Sequence, residues 1–381
     1  MEYLNRNIEE QILKALKPNK VIIVLGARRV GKTELIKQIL TRFENKYLYL
    51  NGEDMDVQAI LEHRSQRNYE AILGPLKLLI IDEAQAIPDI GAKLKLMIDT
   101  IEGLKILVSG SSVFDLTNKL GEPLVGRKTT FYLYPIAQNE FKSIENFVQT
   151  KTALSERLIY GSYPELIQLD GNEEKSGYLK EQVNSYLLKD ILMYEGIKKQ
   201  DKIVSLLKII AYRIGSEISL ESIGNDLQIS KNTVEKYLDL LSKVFVIFRI
   251  SGYSKNLDNE ITKKSKWYFW DNGIRNAIIG NFNAINQRDD VGKLWENYII
   301  SERTKYQTYK NTNSSFYFWR THNRQEIDWI EEENGNLNAY EIKWNPNKKE
   351  VKAPSAWIKA YPDATYTIIT SENYLDFITE K

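Results

Sequence analysis

Lys20 to Leu40 reads KVIIVLGARRVGKTELIKQIL. Val21 to Leu25 is an unbroken apolar run, the mark of a strand buried on both faces. Gly26 to Thr33, GARRVGKT, fits G-x-x-x-x-G-K-[ST] at every fixed position. Glu34 to Leu40 then has helical spacing, with Leu35, Ile36, Ile39 and Leu40 apolar. Strand, glycine loop, helix is the context in which that pattern binds phosphate. Gly26 and Gly31 let the backbone fold tightly, so that successive N–H groups point into one concavity. The helix that starts near Lys32 adds its positive end. The expected ATP cradle is therefore Gly26, Ala27, Arg28, Arg29, Val30, Gly31, Lys32, Thr33 and Glu34. Lys32 is placed to reach the β- and γ-phosphates, and Thr33 to hold Mg²⁺.

Leu76 to Gln85, LKLLIIDEAQ, is the second strong signal. Leu78 to Ile81 forms another buried strand, and Asp82 and Glu83 sit at its carboxyl end, where open α/β sheets bind ligands. Asp82 is expected to hold Mg²⁺ through water, and Glu83 to polarise the attacking water as general base. Ile106 to Ser112, ILVSGSS, is a third buried strand ending in hydroxyls. Ser111 or Ser112 is the candidate for sensing the γ-phosphate; the other reading is a Gly-Ser turn. Leu124 to Arg127, LVGR, precedes a strand at Thr129 to Leu133. Arg127 is either a finger reaching a neighbouring subunit's nucleotide, which would make the protein a homo-oligomer, or a surface ion pair.

These motifs, followed by YPIAQNEF from Tyr134, resemble the AAA-type ATPases of bacteria and archaea, in the subfamily with a C-terminal domain of unknown function. The resemblance continues through YGSYPEL (Tyr160 to Leu166), YLLKDI (Tyr186 to Ile191) and WDNG (Trp270 to Gly273). It implies a P-loop domain with a parallel sheet, using ATP and Mg²⁺, followed by a restriction-endonuclease-like domain.

At 381 residues the chain is too long for one core. Four segments are expected: an ATPase core at 1–138, a helical lid at 139–200, a winged helix-turn-helix at 201–275, and a small α/β domain of PD-(D/E)xK type at 276–381. Hydrophobic residues make up 43% and charged residues 27%, which is globular rather than disordered. The net charge of +1 means that any binding of nucleic acid must come from a local patch. The absence of cysteine excludes disulfides and thiolate metal sites, and suits a reducing cytoplasm, the expected location. The amphipathic N-terminus does not read as a signal peptide, and no apolar run approaches the roughly 20 residues that span a bilayer.

ISLESIGNDLQISKNTVEKYLDLLSKVFVIFRI, from Ile218, reads as helix, turn, helix, strand. Ser219 and Ser230 fit N-caps. The second helix, from Lys231, has the size of a DNA recognition helix, which makes DNA the expected partner. Glu235 and Asp239 dilute its charge, and such units also serve as packing or protein-contact modules.

All seven tryptophans follow residue 266, marking a separate core. Within it, Glu296 projects from a helix, Asp328 lies in the strand EIDWI, and Glu341 and Lys343 lie two apart in NAYEIKW. An acid in one strand and E-x-K in its hairpin partner is the PD-(D/E)xK pattern. Glu296, Asp328 and Glu341 would hold Mg²⁺ against a phosphate, and Lys343 would orient the attacking water. Two outcomes stay open: a centre that binds or cleaves DNA, or a structural Glu–Lys cluster in an ATP-dependent switch or scaffold that cuts nothing.

Overall fold

The computed structural model describes residues 3–44, 46–111, 124–187, 200–254, 265–321, 323, 325–348 and 352–379. These form two compact units. The first takes Met1–Pro135 with Lys243–Phe245; the second takes Ile136–Ser242 and Val246–Lys381. The expected segments 139–200, 201–275 and 276–381 thus fall almost wholly within the second unit.

The first unit is built on five strands: β1 (Lys20–Leu25), β2 (Leu48–Asn51), β3 (Leu78–Asp82), β4 (Lys105–Gly110) and β5 (Lys128–Tyr132). Their order is β2-β3-β4-β1-β5, and every pairing is parallel. β1, β3 and β4 are almost wholly buried, which explains why each reads as a continuous apolar run. Helices α1 (Glu9–Ala15), α2 (Lys32–Leu40), α3 (Met55–Glu62), α4 (Gln66–Leu73) and α5 (Ile90–Thr100) connect or flank them. All five strands point the same way, so their carboxyl ends gather β1's loop, Asp82 and Gly110 along one edge.

In the second unit, α6 (Phe147–Tyr160) and α7 (Asn172–Glu181) come first. Next come α8 (Gln200–Tyr212), β6 (Glu217–Ile218), α9 (Leu220–Leu227), α10 (Lys231–Lys243), β7 (Ile247–Gly252) and β8 (Ser265–Phe269). The Ser219 side chain caps α9 by accepting from Ser222 N at 3.3 Å, and Ser230 accepts from Thr233 N at 3.2 Å at the head of α10. After α11 (Asn272–Ile279) comes the long α12 (Val291–Lys310). The chain closes with β9 (Ser315–Arg320), β10 (Glu326–Glu333), β11 (Asn336–Ile342), α13 (Ser355–Ala360), β12 (Thr365–Ile369) and α14 (Leu375–Ile378).

One sheet of order β12-β11-β10-β9-β7-β8-β6 runs through this unit. β9, β10 and β11 form an antiparallel meander, β12 joins β11 in parallel, and β7 joins β9 in parallel. The strands before and after residue 275 therefore share a single hydrogen-bonded ladder. Two of the quoted motifs meet near its helical layer. The Asp271 carboxylate accepts from Ser162 N at 2.7 Å and from Ile274 N at 3.1 Å, while a Cβ at Gly273 would lie 1.9 Å from Tyr160 O. Only glycine lets the backbone approach so closely. Trp295, Trp329 and Trp357 are fully buried, as core tryptophans should be.

Candidate nucleotide site and a second polar centre

The loop after β1 has the shape its glycines permit. Gly31 is left-handed at φ 94°, Arg29 also has positive φ at 62°, and a Cβ at Gly26 would stand 2.1 Å from Leu133 O. Lys32 opens α2 with only 4% of its surface exposed, and its ammonium donates to Gly26 O at 3.1 Å and Ala27 O at 3.0 Å. The same ammonium lies 3.9 Å from Glu83 Oε1. One residue on, Thr33 Oγ1 donates to Asp82 Oδ2 at 2.7 Å. A hydroxyl and a carboxylate held together at the foot of the loop are hard oxygen donors, the kind Mg²⁺ takes.

Around this pair is a layer of support. Tyr49 from β2 donates to Asp82 Oδ2 at 2.9 Å, and Ser109 from β4 donates to Asp82 Oδ1. Ser109 Oγ also accepts from Glu83 N at 3.0 Å, so one hydroxyl fixes both acids. Glu83 itself is left-handed at φ 50°, an uncommon conformation for a residue with a side chain. Its carboxylate accepts from Gln85 Nε2, which also reaches Ser111 Oγ at 3.2 Å. Beneath the loop, Arg6 is 6% exposed and spans two carbonyls, Val30 O and Tyr134 O, both at 2.7 Å.

The second centre lies in the other unit. A bulge-like register shift between Ile327 and Ile330 spans Asp328 and Trp329. Bulges re-aim side chains, and here Asp328 Oδ2 accepts from Ile342 N at 2.9 Å. Lys343 Nζ stands 2.5 Å from Glu341 Oε1 and 4.0 Å from Asp328 Oδ2. From β8, the ammonium of Lys266 pairs with Glu326, with Glu296 at 3.4 Å and with Asp328 at 3.9 Å. Tyr268, two residues along the same strand, donates to Glu296 Oε1 at 2.7 Å. Burial pushes the Glu296 and Glu341 carboxyls up to about 7. Burial alone would lower Lys266, but Glu296, Tyr268, Asp328 and Glu326 outweigh it and hold the ammonium well above its ordinary value.

Known proteins align with this organisation. Residues 18–142 match the AAA domain family. That match spans most of the first unit. Residues 151–284 match a domain of unknown function (DUF8612), and residues 291–379 match another (DUF4143). The uncharacterized protein MJ1544 of Methanocaldococcus jannaschii is 26% identical over 378 residues, covering 93% of this chain and 82% of its own length. An uncharacterized protein of Haemophilus influenzae is 25% identical over 306 residues, covering 73% of this chain and 74% of its own. Among solved structures, the Thermotoga maritima RuvB Holliday junction branch migration motor is similar at 18% identity and a TM-score of 0.33, covering 65% of this chain and 90% of that one.

Of the residues singled out in the sequence, the first unit brings Gly26 to Thr33, Asp82, Glu83 and Ser111 to one edge. Glu34 points away and pairs with Lys37 at 2.8 Å on the surface. Ser112 lies outside the described residues. Arg127 is not at this edge. Its carbonyl accepts from Val21 N, at the start of β1, and its guanidinium pairs with Asp99. That is the amino end of the sheet, a strand's length from the loop, so within its own chain Arg127 does not reach the nucleotide site.

The C-terminal candidates lie in the second unit. Glu296, Asp328, Glu341 and Lys343 do converge, yet among the described residues no three Asp, Glu, His or Cys side chains are grouped so as to hold a metal. Lys266 and Lys343 lie against these carboxylates. Sequence reasoning missed Lys266, Tyr268, Ser109 and Arg6. No described helix is long and apolar enough to cross a membrane.

Proposed function

We propose that the first unit binds and hydrolyses ATP, and that the second is a non-cleaving module that holds a partner according to the nucleotide state. The observation that carries the first part is the contact of Thr33 with Asp82, with Glu83 and Lys32 beside it. The amides from Gly26 to Thr33 hold the phosphate oxygens, and Lys32 exchanges its loop carbonyls for the β- and γ-phosphates. Thr33 and Asp82 would hold Mg²⁺, which when bound neutralises charge on the phosphate oxygens. Glu83 polarises the attacking water as general base, with Gln85 orienting its carboxylate. Ser109 fixes Asp82 and the Glu83 amide together. ATP turnover by the wild type and loss of nucleotide binding in Lys32→Ala are the expected results. Micromolar ATP affinity retained in that variant overturns the assignment.

In the second unit, the order α8-β6-α9-α10-β7-β8 supports a winged helix-turn-helix, and α12 followed by the β9-β10-β11 meander, α13 and parallel β12 supports a restriction-endonuclease-like fold. Two observations favour a scaffold over a DNA-cutting enzyme. Lys266, which is no part of the E-x-K pattern, already pairs with Glu296 and Asp328, acids that cleavage would need for metal. On α10, Lys231 is tied to Glu221 at 2.7 Å, and Glu235 and Asp239 follow it at helical spacing on the same face. Phosphate binding needs free positive charge along such a face. Plasmid DNA incubated with ATP and Mn²⁺ is expected to stay intact with the wild type, Glu341→Ala and Lys343→Ala alike. Nicking by the wild type that both variants abolish refutes the scaffold reading and restores the nuclease one.

A further inference from the structure

A lysine in a strand of pattern SKWYF, every residue of it buried, demands an explanation. Lys266 is 1% exposed. An ammonium taken so far from water costs several kcal/mol unless paired. Its neighbours have the opposite difficulty. Glu296 from α12 and Glu326 and Asp328 from β10 converge on one point, and carboxylates so placed repel one another. Four elements packed around that point contribute its charged and polar groups. β8 gives Lys266 and Tyr268, α12 gives Glu296, β10 gives Glu326 and Asp328, and the end of β11 gives Glu341 and Lys343. Arg320 of β9 borders it, 3.5 Å from Glu326 and 3.6 Å from Glu217. The Phe318 ring closes one side, its centroid 5.4 Å from the ammonium. Gly215 closes another, since a Cβ there would lie 2.9 Å from Glu296 Oε1.

We propose that Lys266 is a built-in cation that closes the acidic centre of the second unit against divalent metals. This inference rests on the non-cleaving reading of that unit and deepens it. Strand alternation puts Lys266 and Tyr268 on one face, both aimed at Glu296. The ammonium therefore sits in the centre by covalent design and cannot be chelated away or exchanged. A divalent ion approaching the same carboxylates would meet a fixed positive charge within a few ångströms and would have to displace an ammonium that is itself buried. Lys343 guards the outer edge by holding Asp328 and Glu341.

The test is Mn²⁺ titration of nucleotide-free protein, followed by calorimetry and by the Mn²⁺ resonance signal. All variants share the Thr33–Asp82 site, so differences between them belong to the C-terminal centre. The wild type and Lys266→Arg, which keeps the charge, are expected to show no Mn²⁺ site there. Lys266→Gln is expected to gain one, at least roughly tenfold tighter than any wild-type binding and accompanied by a higher melting temperature in Mn²⁺. Lys266→Gln with Glu296→Gln loses it again. A Lys266→Gln protein that neither binds Mn²⁺ nor is stabilised by it, including one that fails to fold in its presence, overturns the inference. If the wild type meanwhile binds no metal and leaves plasmid intact, the scaffold reading survives that failure. A wild-type Mn²⁺ site that depends on Glu296, together with nicking, overturns both.

Discussion

Replacing Arg6 with alanine removes a guanidinium that joins two backbone carbonyls, Val30 O in the phosphate loop and Tyr134 O beyond β5. Hydrogen bonds to a charged group are worth about 1.5–3 kcal/mol each. Truncation also opens space for water to reach the vacated carbonyls, so the loss should fall below the sum of two such bonds, at about 2–4 kcal/mol. At roughly 4 °C per kcal/mol for a domain of this size, the first unit should melt about 8–15 °C lower. Arg6→Lys keeps one donor for one carbonyl and should recover part of that loss. Because Val30 lies within the loop, the effect should also appear in binding. A loop whose carbonyls are no longer pinned orders itself at the expense of affinity. If about 1.4 kcal/mol of the loss falls on the loop, ATP binding weakens tenfold. The assay is thermal unfolding with and without ATP, beside a nucleotide titration, on wild type, Arg6→Ala and Arg6→Lys. Unchanged melting and unchanged affinity in Arg6→Ala would refute the idea that this arginine braces the loop.

Glu83→Gln keeps the size of the side chain but removes the base, so the variant should bind ATP and turn it over at least about a hundredfold more slowly in a phosphate-release assay; equal rates would return Glu83 to a structural role. Ser109→Ala removes the donor to Asp82 Oδ1 and the acceptor of the Glu83 amide, and should lower turnover more than it lowers ATP affinity, a split visible in kcat against KM. In the second unit, Glu296 and Glu341 titrate at about 7 in the fold against an ordinary 4.5. The folded state therefore binds more protons than the unfolded chain between those values, and stability falls as pH rises through 7. Melting followed from pH 5 to 8 should show that decline for the wild type and a shallower one for Glu341→Gln; parallel curves would contradict the assignment.

What could be read in advance was whatever the chain states locally. The phosphate loop needs only consecutive residues, and its strand and helix follow it directly, so GARRVGKT and its setting were legible together. Asp82 and Glu83 were legible because a buried strand must end where its polar residues begin. Ser109 was passed over for Ser111 and Ser112, since a hydroxyl inside a strand looks like a core substitution. Its role comes from register: Ile81 pairs with Val108 in the parallel ladder, which sets the next pair, Asp82 and Ser109, side by side. Arg6 left no trace because its partners are carbonyls, which every residue has. In each case the missing information was which strand lies beside which, and that is decided by the whole sheet.

Lys266 is different, because its signal was present and went unread. A charged residue followed by three aromatic ones in a short buried strand must either reach water or meet opposite charge. Its partners lie 30, 60 and 62 positions further along, at Glu296, Glu326 and Asp328, so spacing alone does not find them. The requirement runs both ways, however. Three acids expected on one face, one on a helix and two in strands, also needed a cation, and Lys343 alone is too little positive charge for them. Counting charge across the expected centre leaves it short by at least one cation. A metal was one way to close that gap, and a buried lysine elsewhere in the same sheet was the other. The two differ in a measurable respect: a metal can be removed by a chelator, whereas the lysine can be removed only by mutation.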